Sequence, residues 1–412
     1  MKRRVVVTGM GVVTPLACDV PGLWENILQG KSGIHPLTIL DVSQHKVRFG
    51  GDIPQFDPSG CVDPKETKRL DRFTLFAIHA ARQAVAESGL NFDQEDLQRC
   101  GAIIGSGVGG LTEIEDQILK LAAKGPDRVS PFTVPKMMLN AAGGNIAILF
   151  GLHGPNFAVA TACASAANAM GDALRMIQHG DVDVMVTGGS EAGITHIGLS
   201  SFANMKALSS RNEEPHRASR PFDRDRDGFV LSEGAGILIF EELEHARRRG
   251  APIYAEILGF GTSCDAGHIT QPDPCGAGAA QAMASAIANA RLNPEDVDYI
   301  NAHGTSTPLG DKAETVAIKS VFGPSAKRVS VSSTKGHLGH SLGASGGIEM
   351  VLAIQSVFHG LIPPTINLEN ADPECDLDYT PLQPRERPIR VAINNSFGFG
   401  GHNSCLVCAK LA

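Results

Sequence analysis

The chain has 412 residues, 42% of them hydrophobic and 19% charged, enough to bury a large core and to form two or three domains. A formal net charge of -8 argues against a general polyanion binder, and 3 tyrosines and 1 tryptophan beside 46 glycines leave little for a base-stacking surface, so no nucleic acid is expected. The 9 cysteines, odd in number and mostly isolated, give no disulfide framework and fit a reducing cytoplasm, and no stretch approaches the roughly 18 apolar residues of a membrane span.

The chain opens with Lys2, Arg3 and Arg4 before three valines, in outline a signal peptide. Thr8, Gly9, Gly11 and Pro15 interrupt the apolar run, so 5–8 reads as a buried strand ending in a glycine turn. Further β-branched runs follow at 102–104, 182–187, 236–240, 254–258, 298–301, 329–332 and 391–394, separated by alanine-rich helical stretches. This alternation predicts an α/β fold.

Three segments recur in order. Gly9-Met10-Gly11 is echoed by Gly259-Phe260-Gly261, Ala84-Val85-Ala86 by Ala286-Ile287-Ala288, and Ile177-Gln178 by Ile354-Gln355. The spacing shrinks along the chain, as in a duplicated core whose first copy carries longer insertions. The predicted halves are 1–250 and 251–412, with an insertion near 111–140.

Gly105-Ser106-Gly107-Val108-Gly109-Gly110 satisfies the G-x-G-x-x-G pattern after a strand, but no βαβ crossover with a ribose-binding acid follows. Cys163, in Thr161-Ala162-Cys163-Ala164-Ser165, lies between an apolar run and a small-residue helix reaching about Gln178. A strand-to-helix turn there offers free amides and the positive end of a helix dipole, which favour a thiolate and can hold an oxyanion. A small buried cysteine is the plainer reading of such a residue taken alone. Asp223-x-Asp225-x-Asp227-Gly228 resembles the start of a calcium loop, but Glu233 falls one place early for the closing ligand.

His303 follows a strand in a turn-rich segment ending at Asp311, where open α/β sheets bind ligands. His340 lies in a second such context, Ser333-Thr334-Lys335-Gly336-His337-Leu338-Gly339-His340. His337 and His340 have no third ligand at metal spacing, and neither does the C-x-x-C of Cys405 and Cys408, so no metal is expected.

These segments, together with Val7-Thr8-Gly9-Met10-Gly11, Arg226-Asp227-Gly228-Phe229-Val230 and Asn395-Ser396-Phe397-Gly398-Phe399-Gly400-Gly401, resemble the β-ketoacyl-acyl-carrier-protein synthases of fatty acid synthesis over essentially the whole chain. Histidines in both contexts are similar to the first and second, elongating, synthase classes. The resemblance implies a thiolase-like fold: two duplicated α/β halves with mixed five-stranded sheets in a layered αβαβα arrangement. It implies a homodimer without cofactor that takes an acyl chain from acyl carrier protein onto Cys163 and condenses it with malonyl-carrier protein after loss of carbon dioxide.

In that scheme neutral His303 and His340 donate to the enolate, and the amides of Cys163 and Phe399 hold the tetrahedral oxyanion, with Phe399 also gating the acyl pocket. Lys335, Asp311, Glu314 and Glu349 match supporting positions, and Val108, Phe202 and Thr133 match the acyl pocket. Lys65, Lys68, Arg69 and Arg72 cluster in one predicted helical stretch, and with Arg128 and Lys206 they would steer an acidic carrier protein. Thr133, Phe222 and His402 depart from the commoner phenylalanine, tryptophan and threonine near the pocket. The small Val108 implies tolerance of long acyl chains. A polyketide ketosynthase shares this chemistry, whereas a silent chain-length partner subunit lacks the nucleophilic cysteine that is present here.

Overall fold

The computed structural model describes residues 2–411. Five strands form the first half-sheet: β1 (Val5–Val13), β2 (Cys100–Gly105), β3 (Asn156–Val159), β4 (Val184–Glu191) and β5 (Gly234–Glu242), in spatial order β3-β2-β4-β5-β1. The second half-sheet comprises β6 (Ala255–Cys264), β7 (Tyr299–Asn301), β8 (Ser330–Ser332), β9 (Val391–Gly398) and β10 (His402–Ala409), in order β6-β10-β9-β7-β8. Strand directions repeat. In the first half β2 runs parallel to β3 and β4, while β5 is antiparallel to β4 and β1. In the second, β7 runs parallel to β8 and β9, while β10 is antiparallel to β9 and β6.

The two mixed sheets are not separate. Val5 to Val7 of β1 pair antiparallel with Ala255 to Ile257 of β6, which makes one ten-stranded sheet. Helices α1 (Arg72–Ser88) and α2 (Ala141–Phe150) pack on the first half-sheet, as does α3 (Ser165–His179). In the second half α4 (Ala277–Asn289) packs on β6 and β10, with α5 (Pro308–Phe322) against it, and α6 (Ser345–His359) packs on β9. Helices α3 and α6 touch each other and also reach strands of the opposite half-sheet, which makes them the middle layer. Every residue of α6 from Ser345 to Val357 is buried, as a helix walled on all sides requires.

The sequence echoes fall on equivalent elements, and their glycines share a physical cause. A Cβ on Gly9 or Gly11 of β1 would stand 2.0 Å from a carbonyl oxygen of α1. On Gly259 or Gly261 of β6 it would stand 2.4 or 2.1 Å from a carbonyl oxygen of α4. The outer helix of each half therefore lies directly on its strand, and any side chain there would push it off.

Strand β3 is the apolar run before the Cys163 turn, read above as the strand of a strand-to-helix turn; strand β10 was absent from the predicted strands. Strand β10 carries Cys405 and Cys408 on opposite faces: Cys405 packs with Val407 and Ile393, Cys408 with Leu406 and Ile257. Three residues apart on a strand, the two thiols point away from each other and cannot share an ion. Segment 111–140 folds into the helices Leu111–Lys124 and Thr133–Met137 with a short 3₁₀ turn between them.

Candidate active site

The fold delivers the predicted residues at strand ends. Cys163 lies between β3 and α3, and His340 between β8 and α6, so the two occupy equivalent turns of the duplicated core. His303 follows β7 and Phe399 follows β9.

Side chains hold the Cys163 turn. Ser165 Oγ accepts from the Thr161 amide at 2.9 Å and donates to the Ala162 carbonyl at 2.6 Å, and Asn168 donates to Thr161 Oγ1 at 2.8 Å. Ala162 has φ 49°, a conformation costly for a residue with a Cβ. Gly398 lies against this turn, and a Cβ there would come within 3.0 Å of the Cys163 amide nitrogen. Burial pushes the Cys163 thiol up to about 11, against the opposing pull of Lys335 and of the Phe399 and Cys163 amides. Desolvation is the largest of these influences, and Lys335 and the two amides are the groups that favour a thiolate against it.

The imidazoles of His303 and His340 meet edge to face, with centroids 5.3 Å apart. Burial first, then the Lys335 charge, holds both well below the ordinary imidazole range, and His340 further depresses His303. Both rings are neutral, and a neutral ring offers one N–H donor. His340 Nδ1 lies 2.9 Å from Ser345 Oγ, whereas His340 Nε2 and His303 Nδ1 are buried without partners.

Lys335 is buried and paired with Glu349, whose carboxyl burial raises to about 7. Glu314 accepts from the amides of His303 (2.9 Å) and Gly304 (2.7 Å) and from Asn395 (3.0 Å), tying the histidine loop to β9. Asp311 accepts from the amides of Ser306 (3.1 Å) and Phe222 (2.7 Å), two residues at positive φ. Its carboxyl is raised to about 7 by burial, with Arg226 opposing.

Cys163 shares a hydrophobic cluster with Ile194, Leu199, Leu342, Phe229 and Phe202. Aromatic rings continue it: Phe399 lies 6.4 Å from Phe202, Phe202 5.3 Å from Phe229, and Phe229 5.5 Å from His340. Val108 is 41% exposed, and the Thr133 hydroxyl donates to Glu113 at 3.0 Å. His402 stands opposite Gly398 in the β9–β10 register. Phe222 stacks on Tyr379 within the core of the second half, centroids 3.9 Å apart, and its ring edge lies against Gly304, the residue after His303.

The misleading motifs are explained by what fills them. Glu191, which sequence reasoning passed over, occupies the glycine-rich loop. It accepts from Ser106 Oγ (2.9 Å) and from the amides of Gly107 (2.6 Å), Val108 (3.2 Å) and Gly343 (3.1 Å). The amides that a dinucleotide phosphate would need already hold a protein carboxylate. Both Asp223 oxygens are likewise taken by Arg220 and by the amides of Asp225, Glu369 and Asn370. His337 faces the carbonyls of Lys31 (2.8 Å) and Pro364 (3.0 Å) through its two ring nitrogens, so neither is free for an ion shared with His340.

The basic residues separate. The predicted helical stretch is a single turn, Pro64–Thr67, and Arg72 turns inward to pair with buried Glu233, which removes it from the surface cluster. Lys65, Lys68, Arg69, Arg128 and Lys206 are exposed. Arg69 pairs with Glu66 and lies over the Phe132 ring, and Arg128 lines a surface hollow with Lys120, Lys124 and Asp127.

Comparison with known proteins agrees with this geometry. Residues 2–246 match the beta-ketoacyl synthase N-terminal domain family and residues 254–369 the C-terminal domain family. The chain is 51% identical over 409 residues to 3-oxoacyl-[acyl-carrier-protein] synthase 2 of Synechocystis sp. (strain ATCC 27184 / PCC 6803 / Kazusa), covering 99% of this chain and 98% of that protein. It is 47% identical over 410 residues to the protein of the same name from Coxiella burnetii (strain RSA 493 / Nine Mile phase I), covering 100% and 99%. Among solved structures, a beta-ketoacyl synthase from Burkholderia phymatum STM815 superposes with a TM-score of 0.93 at 34% identity, covering all of both chains. A chain from a type II PKS acyl-carrier protein in complex with its ketosynthase gives the same TM-score, identity and coverage. Matches to both domain families over residues 2–246 and 254–369, with identities of 47–51% along nearly the whole chain, place this protein in the β-ketoacyl synthase family.

Proposed function

We propose that this chain condenses malonyl-acyl-carrier protein with an acyl group held on Cys163, giving β-ketoacyl-acyl-carrier protein in fatty acid elongation. The observation that carries the reading is a buried thiol faced by the Phe399 and Cys163 amides, in a site that also holds two neutral imidazoles and the Lys335 charge. The Cys163 thiol gives up its proton as Sγ attacks the acyl thioester, the two amides hold the tetrahedral oxyanion, and the carrier thiolate leaves and takes up that proton. Malonyl thioester then loses carbon dioxide. His303 and His340 donate N–H to the enolate oxygen, and the carbanion attacks the acyl-cysteine, expelling the Cys163 thiolate. Lys335, Glu349, Glu314 and Asp311 hold these groups in place, and Val108, Phe202 and Phe399 border the acyl chain.

The fatty acid reading is favoured over the polyketide one by identities of 47–51% to the synthase 2 relatives, against 34% to the chain from the type II PKS complex. The test is mass spectrometry of carrier protein after the native chain is mixed with long-chain acyl-carrier and malonyl-carrier proteins. A β-ketoacyl product two carbons longer is expected, with a rate that falls as salt rises if Lys65, Lys68, Arg69, Arg128 and Lys206 steer the carrier. No product across a chain-length series would overturn it.

The same reading includes a homodimer, two halves divided near residue 250 and residence in the cytoplasm. Among the described residues no helix is long and apolar enough to cross a membrane, and all 9 cysteines are free. Strand β3 is a sheet edge paired only with β2; Phe157 on it is 36% exposed, and Ile148 on α2, which packs against β3, is 82% exposed. An open apolar edge of this kind is a template for a second copy. Light scattering at micromolar concentration should give twice the 43.3 kDa chain mass; a monomer would refute the dimer.

A further inference from the structure

Ser345 is the first residue of α6, and it is buried. Its Oγ lies 2.9 Å from His340 Nδ1 and 3.3 Å from Ser341 Oγ, and Ser341 is buried as well. The opposite ring nitrogen, His340 Nε2, is buried and meets no partner within the chain. A neutral imidazole carries one proton, and the surroundings of its two nitrogens differ. A proton on Nδ1 would point at the amide end of a 15-residue helix, where the dipole is positive. A proton on Nε2 instead lets Nδ1 accept from the Ser345 hydroxyl, which can in turn accept from Ser341. The second arrangement sets a lone pair against the positive helix end and leaves an N–H aimed at the unfilled side of the ring.

We propose that Ser345 is a positioning residue that fixes His340 as the Nε2–H tautomer, so that the ring presents a donor to the enolate oxygen. The inference rests on the reading of His340 as an enolate donor. It assigns Ser345 to the decarboxylation half of the reaction and not to cysteine acylation, because the contact is made to His340 and not to the Cys163 turn.

The experiment compares the native chain, Ser345→Ala and Ser345→Thr by three readouts: ¹⁵N shifts of the His340 ring, the rate of Cys163 acylation, and kcat and KM for malonyl-carrier decarboxylation. The native ring should show its proton on Nε2. In Ser345→Ala the tautomers should mix and the decarboxylation kcat should fall about tenfold or more, with KM and acylation changed less than about twofold. Ser345→Thr, which keeps the hydroxyl, should recover kcat to within about threefold. A native proton on Nδ1, an unchanged kcat in Ser345→Ala, or acylation and decarboxylation falling in parallel would each overturn the assignment. A native chain that neither acylates nor decarboxylates would instead overturn the condensing reading, while the ¹⁵N shifts would still decide the tautomer.

Discussion

Cys163→Ala is expected to abolish acyl transfer to the protein, by at least about 10⁴-fold, while malonyl decarboxylation stays within about tenfold of native. The substitution removes only Sγ. The Ser165 and Asn168 bonds that shape the turn do not involve it, and alanine has the same Cβ. His303, His340 and Lys335 keep their places, so the enolate donors survive without the nucleophile. Burial pushes Cys100 and Cys408 up to about 12 and also raises Cys18, Cys375, Cys405 and Cys61, the last beside His79, while Cys264 and Cys275 are exposed. Intact-protein mass spectrometry with acyl-carrier protein, beside carbon dioxide release from malonyl-carrier protein, separates the two steps. An acyl adduct retained in Cys163→Ala would move the nucleophile elsewhere, and a folded variant unable to decarboxylate would tie Cys163 to both steps.

Legibility in the sequence followed local physics. Strands of β-branched residues were readable because they are buried on both faces, and the echoed glycines because the same strand-to-helix contact occurs twice. Strand β3, a half-exposed edge of mixed residues, was readable only as the apolar run before the Cys163 turn. Strand β10, which the pattern of β-branched runs does not mark, mixes polar and apolar residues, and its two cysteines drew attention to metal spacing. The Cys163 and His340 turns were visible because small residues crowd a strand-to-helix turn. What fills or braces a site was not visible when it came from far along the chain. Glu191 reaches a glycine loop some eighty residues earlier, and Arg72, apparently surface charge, finds Glu233 across the fold. Helix-dipole reasoning took no account of desolvation, since burial of Cys163 is a property of the assembled core and not of its turn. Ser345 could have been marked as the serine that opens the helix after His340, but its aim at Nδ1 depends on the turn between them.

Lys335→Met should both destabilise the protein and shift its pH profile, and the two effects can be pulled apart. Removing one partner of a buried ion pair leaves the other charge uncompensated, a loss of about 3–5 kcal/mol when that charge cannot neutralise. Glu349 can take up a proton. Burial already raises its carboxyl to about 7 even with Lys335 opposing, so without the lysine it stays protonated to higher pH. The folded state then binds more protons than the unfolded chain between the ordinary carboxylate value and this raised one, so stability falls as pH rises through that window. In the native chain the fall ends near 7; in Lys335→Met it continues beyond. The Tm difference between them should therefore widen from pH 6 to pH 8. Lys335 also holds His303 and His340 down, so its loss lets both take up a proton at higher pH. Because the enolate donors work as neutral rings, the acid limb of decarboxylation should move upward. Adding Glu349→Gln removes the orphaned carboxylate and should recover much of the lost stability without returning the limb to its native position. A Tm difference independent of pH would remove Glu349 as the cause of the instability, and an unmoved acid limb would remove Lys335 from control of the histidines.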